Sequence, residues 1–202
     1  NIGAGQDMGN GFWFKGDLDD IGLWNMVLSQ EEIQGVMNNG VAGSAESTFD
    51  LASYSVETVG AVPGPWTFKD DVWVSDGSVA GCGGPYHDFL TSPDYIVSAA
   101  GEVTLSFEHR HAFEGAMWDS GQLWISVNGG AYADVGKDAF TANGYTDVAI
   151  IGNGIAKGQN GFGNTSAGHA DGSYITTIAS LGSFAAGDAI SVRFVALYDD
   201  CA

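Results

Sequence analysis

Trp118-Asp119-Ser120-Gly121-Gln122-Leu123-Trp124-Ile125-Ser126-Val127-Asn128-Gly129-Gly130 decides the fold. Leu123, Ile125 and Val127 alternate with Trp124 and Ser126, the period of two that puts one face of a strand on a core. Asn128-Gly129 then marks a tight turn, because both residues tolerate the positive φ that two-residue hairpins need, and the strand returns through Ala131–Val135. Upstream, Val103, Leu105 and Phe107 alternate with Thr104, Ser106 and Glu108. Downstream, Ile175–Leu181 and Ile190–Tyr198 form two more strands joined by Ala186-Gly187-Asp188. Val72–Val74 and Ile96-Val97 are shorter strands. Residues 152–172, rich in Gly, Asn and Ser, read as a long loop. Short strands, turn signals and no helical period over residues 51–202 predict an antiparallel β-sandwich of jelly-roll type.

The first 50 residues read differently. Gly11–Phe14 and Asp20–Trp24 look like short strands. Ser29 with Glu32 three residues later is a capping box, and Ile33, Val36 and Met37 fall at helical spacing before Gly40. Residues 1–42 are too few to bury a core alone. Residues 43–50 are small and polar, a linker. The domain reading is therefore a segment over 1–42, a linker over 43–50 and the sandwich over 51–202. The chain begins without an initiator Met and stops just after an apolar strand, so an excerpt of a longer polypeptide is expected.

Charge narrows function. Among 202 residues, 6 Lys plus Arg face 25 Asp plus Glu, for a formal charge of −19. Phosphate binding requires clustered cations, so nucleic acid is not an expected partner. Anionic membrane surfaces are disfavoured for the same reason, and no apolar run is long enough for insertion as a spanning helix. The 24 aromatic residues (11 Phe, 7 Tyr, 6 Trp) separate the chain from disordered acidic tails. The two cysteines, Cys82 and Cys201, read either as a disulfide or as free thiols. The acidic, lysine-poor composition fits an extracellular or cell-surface setting and favours the disulfide.

Two resemblances add to this. Phe14-Lys15-Gly16-Asp17-Leu18-Asp19-Asp20-Ile21-Gly22-Leu23-Trp24-Asn25, followed by Leu28-Ser29-Gln30-Glu31-Glu32-Ile33, resembles the C-terminal end of laminin-G/concanavalin A-like lectin domains. Ser92-Pro93, Leu105–His109 and Trp118–Gly130 are similar to the MAM-like jelly-roll modules of bacterial secreted proteins. Ser120 stands where that pattern has a glycine and Asn128 where it has an aspartate, and its final Trp-x-Ile-Asp strand is missing. The second resemblance implies that the sandwich is truncated by one strand and that a structural calcium ion is held by carboxylates and carbonyls. The candidates are Asp70, Asp71, Asp76, Glu114, Asp119, Asp199 and Asp200. Glu114 and Asp119 come first, because their short spacing across a turn could bring them to one ion, and Asp71 and Asp200 complete the favoured set. Asp17, Asp19 and Asp20 do not fit an EF-hand, which would place Ile21 and Leu28 at ligand positions.

Exposed aromatics are the second theme. Trp66, Trp118, Trp124 and Tyr86 lead a set that includes Trp73, Tyr145 and Tyr174, all in or beside polar, glycine-rich segments. Flat rings stack on the apolar faces of sugars while acidic and amide neighbours bond the hydroxyls. Trp124 points away from the Leu123 face. It either meets a ligand or is covered by loops as a second core layer. His109 and His111 share a strand face with Leu105 and Phe107, and read as core histidines more readily than as metal ligands. Gly-x-Ser-x-Gly, a P-loop, His-Glu-x-x-His and paired glycosidase carboxylates are absent, so no catalytic residue is assigned. The expected function is non-catalytic carbohydrate binding or adhesion, lectin-like and calcium-supported, with glycans or neighbouring modules of the same assembly as partners. The alternatives are a structural subunit or repeat module of an extracellular fibre or stalk, and an accessory domain of a secreted hydrolase.

Overall fold

A computed structural model describes residues 51–60, 66–75, 77 and 84–199. The chain divides at Thr48/Phe49 into two units, and the described residues all belong to the second. The lectin-like segment with its helix lies outside the described residues, as do Cys82, Cys201, Asp76 and Asp200.

The described part is an all-β sandwich, with short 3-10 turns as its helical content. Its strands are β1 (Ser55–Gly60), β2 (Thr67–Lys69), β3 (Val72–Val74), β4 (Tyr86–Thr91), β5 (Tyr95–Ile96), β6 (Gly101–His109), β7 (Ser120–Val127), β8 (Ala133–Asp134), β9 (Phe140–Ala142), β10 (Ile175–Phe184) and β11 (Ala189–Tyr198). One sheet runs β1-β4-β11-β7-β8, with β5 also on β11. The facing sheet runs β6-β10-β9, and β2-β3 is a separate hairpin. Every pairing is antiparallel. Asn128 and Gly129 take φ of 52° and 71°, the twist that returns β7 into β8.

Period two sorts β11 into two faces. Val192 and Ala196 point to the inner face, where Leu105, Leu123 and Ala179 close the core between the sheets. Val195 and Leu197 point outward, yet they are also buried: Phe89, Met117, Ile150 and Ala156 form a second core there. The long connection between β9 and β10 supplies Ile150 and Ala156, so this loop is the roof of the large sheet. Its return arm then runs beside β7, where Gly121 and Phe162 exchange backbone hydrogen bonds of 3.0 and 2.7 Å.

Covering both faces explains β4, which shows no alternation. Tyr86 to Leu90 are all buried, including His87 and Asp88. Asp88 has no exposed surface. Thr58 donates to one of its carboxylate oxygens (2.7 Å) and Ser75 to the other (3.2 Å). Burial raises its pKa, and the two hydroxyls act against that shift.

Candidate functional site

Two ladder ends build the site. Leu197 pairs with Ser120, so the residue after β11, Asp199, comes beside the residue before β7, Asp119. The Asp199 N–H donates to Asp119 Oδ1 (2.9 Å). Glu114 arrives from the turn after β6, where it precedes the 3-10 turn Gly115–Met117. One carboxylate oxygen each from Glu114, Asp119 and Asp199 lies within 4.8 Å of the others. Burial, together with the neighbouring Glu114 and Asp199 charges, pushes Asp119 up to about 6, against the pull of the Asp199 N–H.

The roof loop leans on this cluster. Ile151 N–H donates to the Met117 carbonyl (3.0 Å). A Cβ on Gly152 would fall 1.9 Å from the Trp118 carbonyl oxygen and 2.7 Å from Asp199 Cβ, so glycine alone lets the loop pass so close. Trp118, next to Asp119 in the chain, is 43% exposed.

The structure thus brings together Glu114 and Asp119, the two carboxylates favoured first, with Asp199 from the wider acidic set. Asp71 stands elsewhere, in the β2–β3 turn with Asp70, at φ of 60° and 53°. The aromatic set divides. Tyr86 is fully buried, stacked on Tyr198 at 4.6 Å, and offers no face to a sugar. Trp124 is half-buried in the second core, tilted against Phe89, and its indole N–H donates to Gln122 (2.9 Å). Covered by the roof loop, it is second-layer core rather than an open stacking surface. Trp66 packs its half-buried ring against Tyr86, Ala196 and Tyr198, and its N–H donates to the Asp88 carbonyl (3.3 Å). Trp118 is the exposed residue of the favoured four.

His109 and His111 take the core reading. Thr177 gives its hydroxyl proton to the Asn143 carbonyl (2.8 Å), so it must accept from His109 Nε2–H (2.8 Å). The Gly163 carbonyl can only accept, so His111 Nε2 also carries a proton (3.3 Å). The sequence singled out neither Thr177 nor the glycines of the roof; a buried threonine on β10 and a Gly/Asn-rich loop carry no distinguishing signal.

No family model, curated protein or solved structure matches this chain. Among the described residues, no helix is long and apolar enough to cross a membrane.

Proposed function

We propose that this sandwich is a non-catalytic extracellular module for carbohydrate binding or adhesion. In it Glu114, Asp119 and Asp199 hold a structural calcium ion, and the neighbouring Trp118 ring provides the stacking surface. The observation that carries the reading is the convergence of three carboxylates within 4.8 Å, one of them next in the chain to the exposed Trp118. Ca²⁺ takes oxygens at about 2.4 Å, so oxygens that share one ion lie no more than about 4.8 Å apart, a limit that the three carboxylates meet. Hard oxygen donors without nitrogen or sulfur favour Ca²⁺ over zinc. An ion there would tie the turn after β6 to the ends of β7 and β11 and steady the roof loop over them.

Calorimetry on the full chain tests the calcium half. Added Ca²⁺ raises Tm and EDTA reverses the rise; identical melting in both refutes it. A glycan array run with Ca²⁺ tests the other half. Binding that is lost in Trp118→Ala supports it, and an array without a hit counts against it.

A further inference from the structure

A line of rings runs along one face of β6 and its continuation: Phe107, His109, His111 and Phe113. The two imidazoles are stacked, 5.2 Å between centroids and 24° apart in plane. Phe162, from the return arm of the roof loop, lies across both, at 4.7 Å from His109 and 5.8 Å from His111. The same arm is pinned to β6's continuation by its backbone: Phe113 N–H donates to Asn164 (2.7 Å) and Ser166 N–H to His111 (2.8 Å). Loop and histidine pair therefore meet along one seam.

That seam accepts only neutral rings. Both Nε2 protons are already committed, so each added proton must go to Nδ1. His111 Nδ1 is buried with no hydrogen-bond partner among the described residues, and a new N–H there would have nothing to bond. Two imidazolium ions stacked at 5.2 Å would also repel each other.

The surroundings offer little to offset this charge. The arm 159–166 contains no titratable side chain. On the β10 side, Thr177 meets His109 with a hydroxyl. The 3-10 turn His169–Asp171 brings His169, whose own charge opposes one on His111, and carries Asp171 at its far end. Tyr145 sits beyond Phe162, edge-on at 4.9 Å. Glu108 and Arg110 alternate to the other face of β6, and Arg110 lies over Tyr174.

We propose that the His109–His111 pair is an acid-sensitive latch: proton uptake by the pair releases the roof loop from its seam on β6 and β7 while the sandwich beneath stays folded. Release uncovers Trp124 and Phe89 and removes the loop from beside Trp118 and Asp199. The latch stands on the ring geometry alone and holds whether or not the carboxylate cluster binds calcium.

Burial lowers both imidazoles, His109 to about 4. A ring at about 4 when latched and about 6.5 when released shifts the opening equilibrium roughly 30-fold between neutral pH and pH 5, from His109 alone.

The test is amide exchange on the full chain at pH 7.5 and pH 5, in EDTA throughout, expressed as protection factors to remove the intrinsic pH effect. Protection at Phe162 and Ser166 is expected to fall about 30-fold or more at pH 5, while the amides of β11 keep theirs. Unchanged loop protection overturns the latch. So does an equal fall in β11, which would mean global unfolding. The double variant His109→Gln/His111→Gln should abolish the pH effect, and persistence of the effect in it overturns the proposal. NMR titration of the unsubstituted histidines gives an answer independent of the variant. Midpoints below 6, shared by loop resonances, support the latch; midpoints near 6.5 with an unmoved loop overturn it.

Discussion

Replacing Tyr145 by Phe removes one oxygen that serves two partners, the N–H of buried Leu123 and the half-buried Asp134 carboxylate. Leu123 N–H, in β7 just where β8 stops pairing, donates to the Tyr145 hydroxyl at 2.6 Å, and the hydroxyl donates to Asp134 Oδ1 at 2.7 Å. Burial and the Asp134 charge push the phenol far above its usual range, so it keeps its proton and stays a donor. Tyr145→Phe preserves the ring, which packs at 4.5 Å on Phe140 and at 4.9 Å on Phe162. It leaves a strand N–H without an acceptor, at about 1–3 kcal/mol, and takes a donor from a carboxylate whose pKa burial already raises, at about 1.5–3 kcal/mol. The two costs share one atom and do not simply add, so a loss of about 3 kcal/mol is expected. Urea unfolding followed by tryptophan fluorescence measures it as a fall in midpoint at constant slope. In an Asp134→Asn background the loss should shrink, because the charged acceptor is gone. A loss below 1 kcal/mol, or the same loss in both backgrounds, would refute the reasoning.

Three further outcomes follow from the same geometry. Asp119→Asn, measured in EDTA at pH 8, should raise Tm. The folded carboxyl at about 6 lies above its unfolded value, so its contribution is full below about pH 4 and is lost as pH rises through 6, by up to about 3 kcal/mol; a lower Tm would contradict this, and the variant should also lose any Tm rise with Ca²⁺. Gly163→Ala places a Cβ 1.9 Å from Met117 Sδ, and the flexible thioether can shift only within a filled core, so a loss of about 1–3 kcal/mol is expected in chemical denaturation; an unchanged midpoint would show that Met117 repacks freely. Arg193→Lys should cost about 1–2 kcal/mol in the same assay, because the guanidinium lies 3.8 Å from the Tyr132 centroid and 4.9 Å from Phe89 while its Nε donates to Thr91, a planar fit that an ammonium cannot copy; a neutral result would mean that the stack contributes nothing.

The sandwich was legible where a strand alternates apolar with polar residues or where a turn announces itself. Leu105, Leu123 and Ile125 alternate cleanly, and Asn128-Gly129 names its own hairpin. β4 was not legible, because both of its faces are covered and it carries His87 and Asp88 at buried positions, so its string reads as polar. For the site, the chain proximity of Glu114 and Asp119 was visible, but Asp199 joins them only through the β7–β11 register, which no local pattern encodes. Trp118 and Trp124 look alike in sequence. They differ because the core that the roof loop helps to build takes in Trp124, whereas the loop meets Trp118 at its backbone carbonyl and leaves the residue exposed, a long-range fact.

The last of the described strands is also a central one. β11 stands between β4 and β7, and its residues 193–198 pair with 86–91, roughly a hundred positions earlier. During synthesis β4 can pair with β1 and β7 with β8, but the two halves have no strand to join them, and the large sheet closes only once Tyr198 is free. Such high contact order slows folding and prolongs the exposure of unpaired strands. For that interval the heavy negative charge is protective: nascent chains carrying it repel one another before their edges can meet.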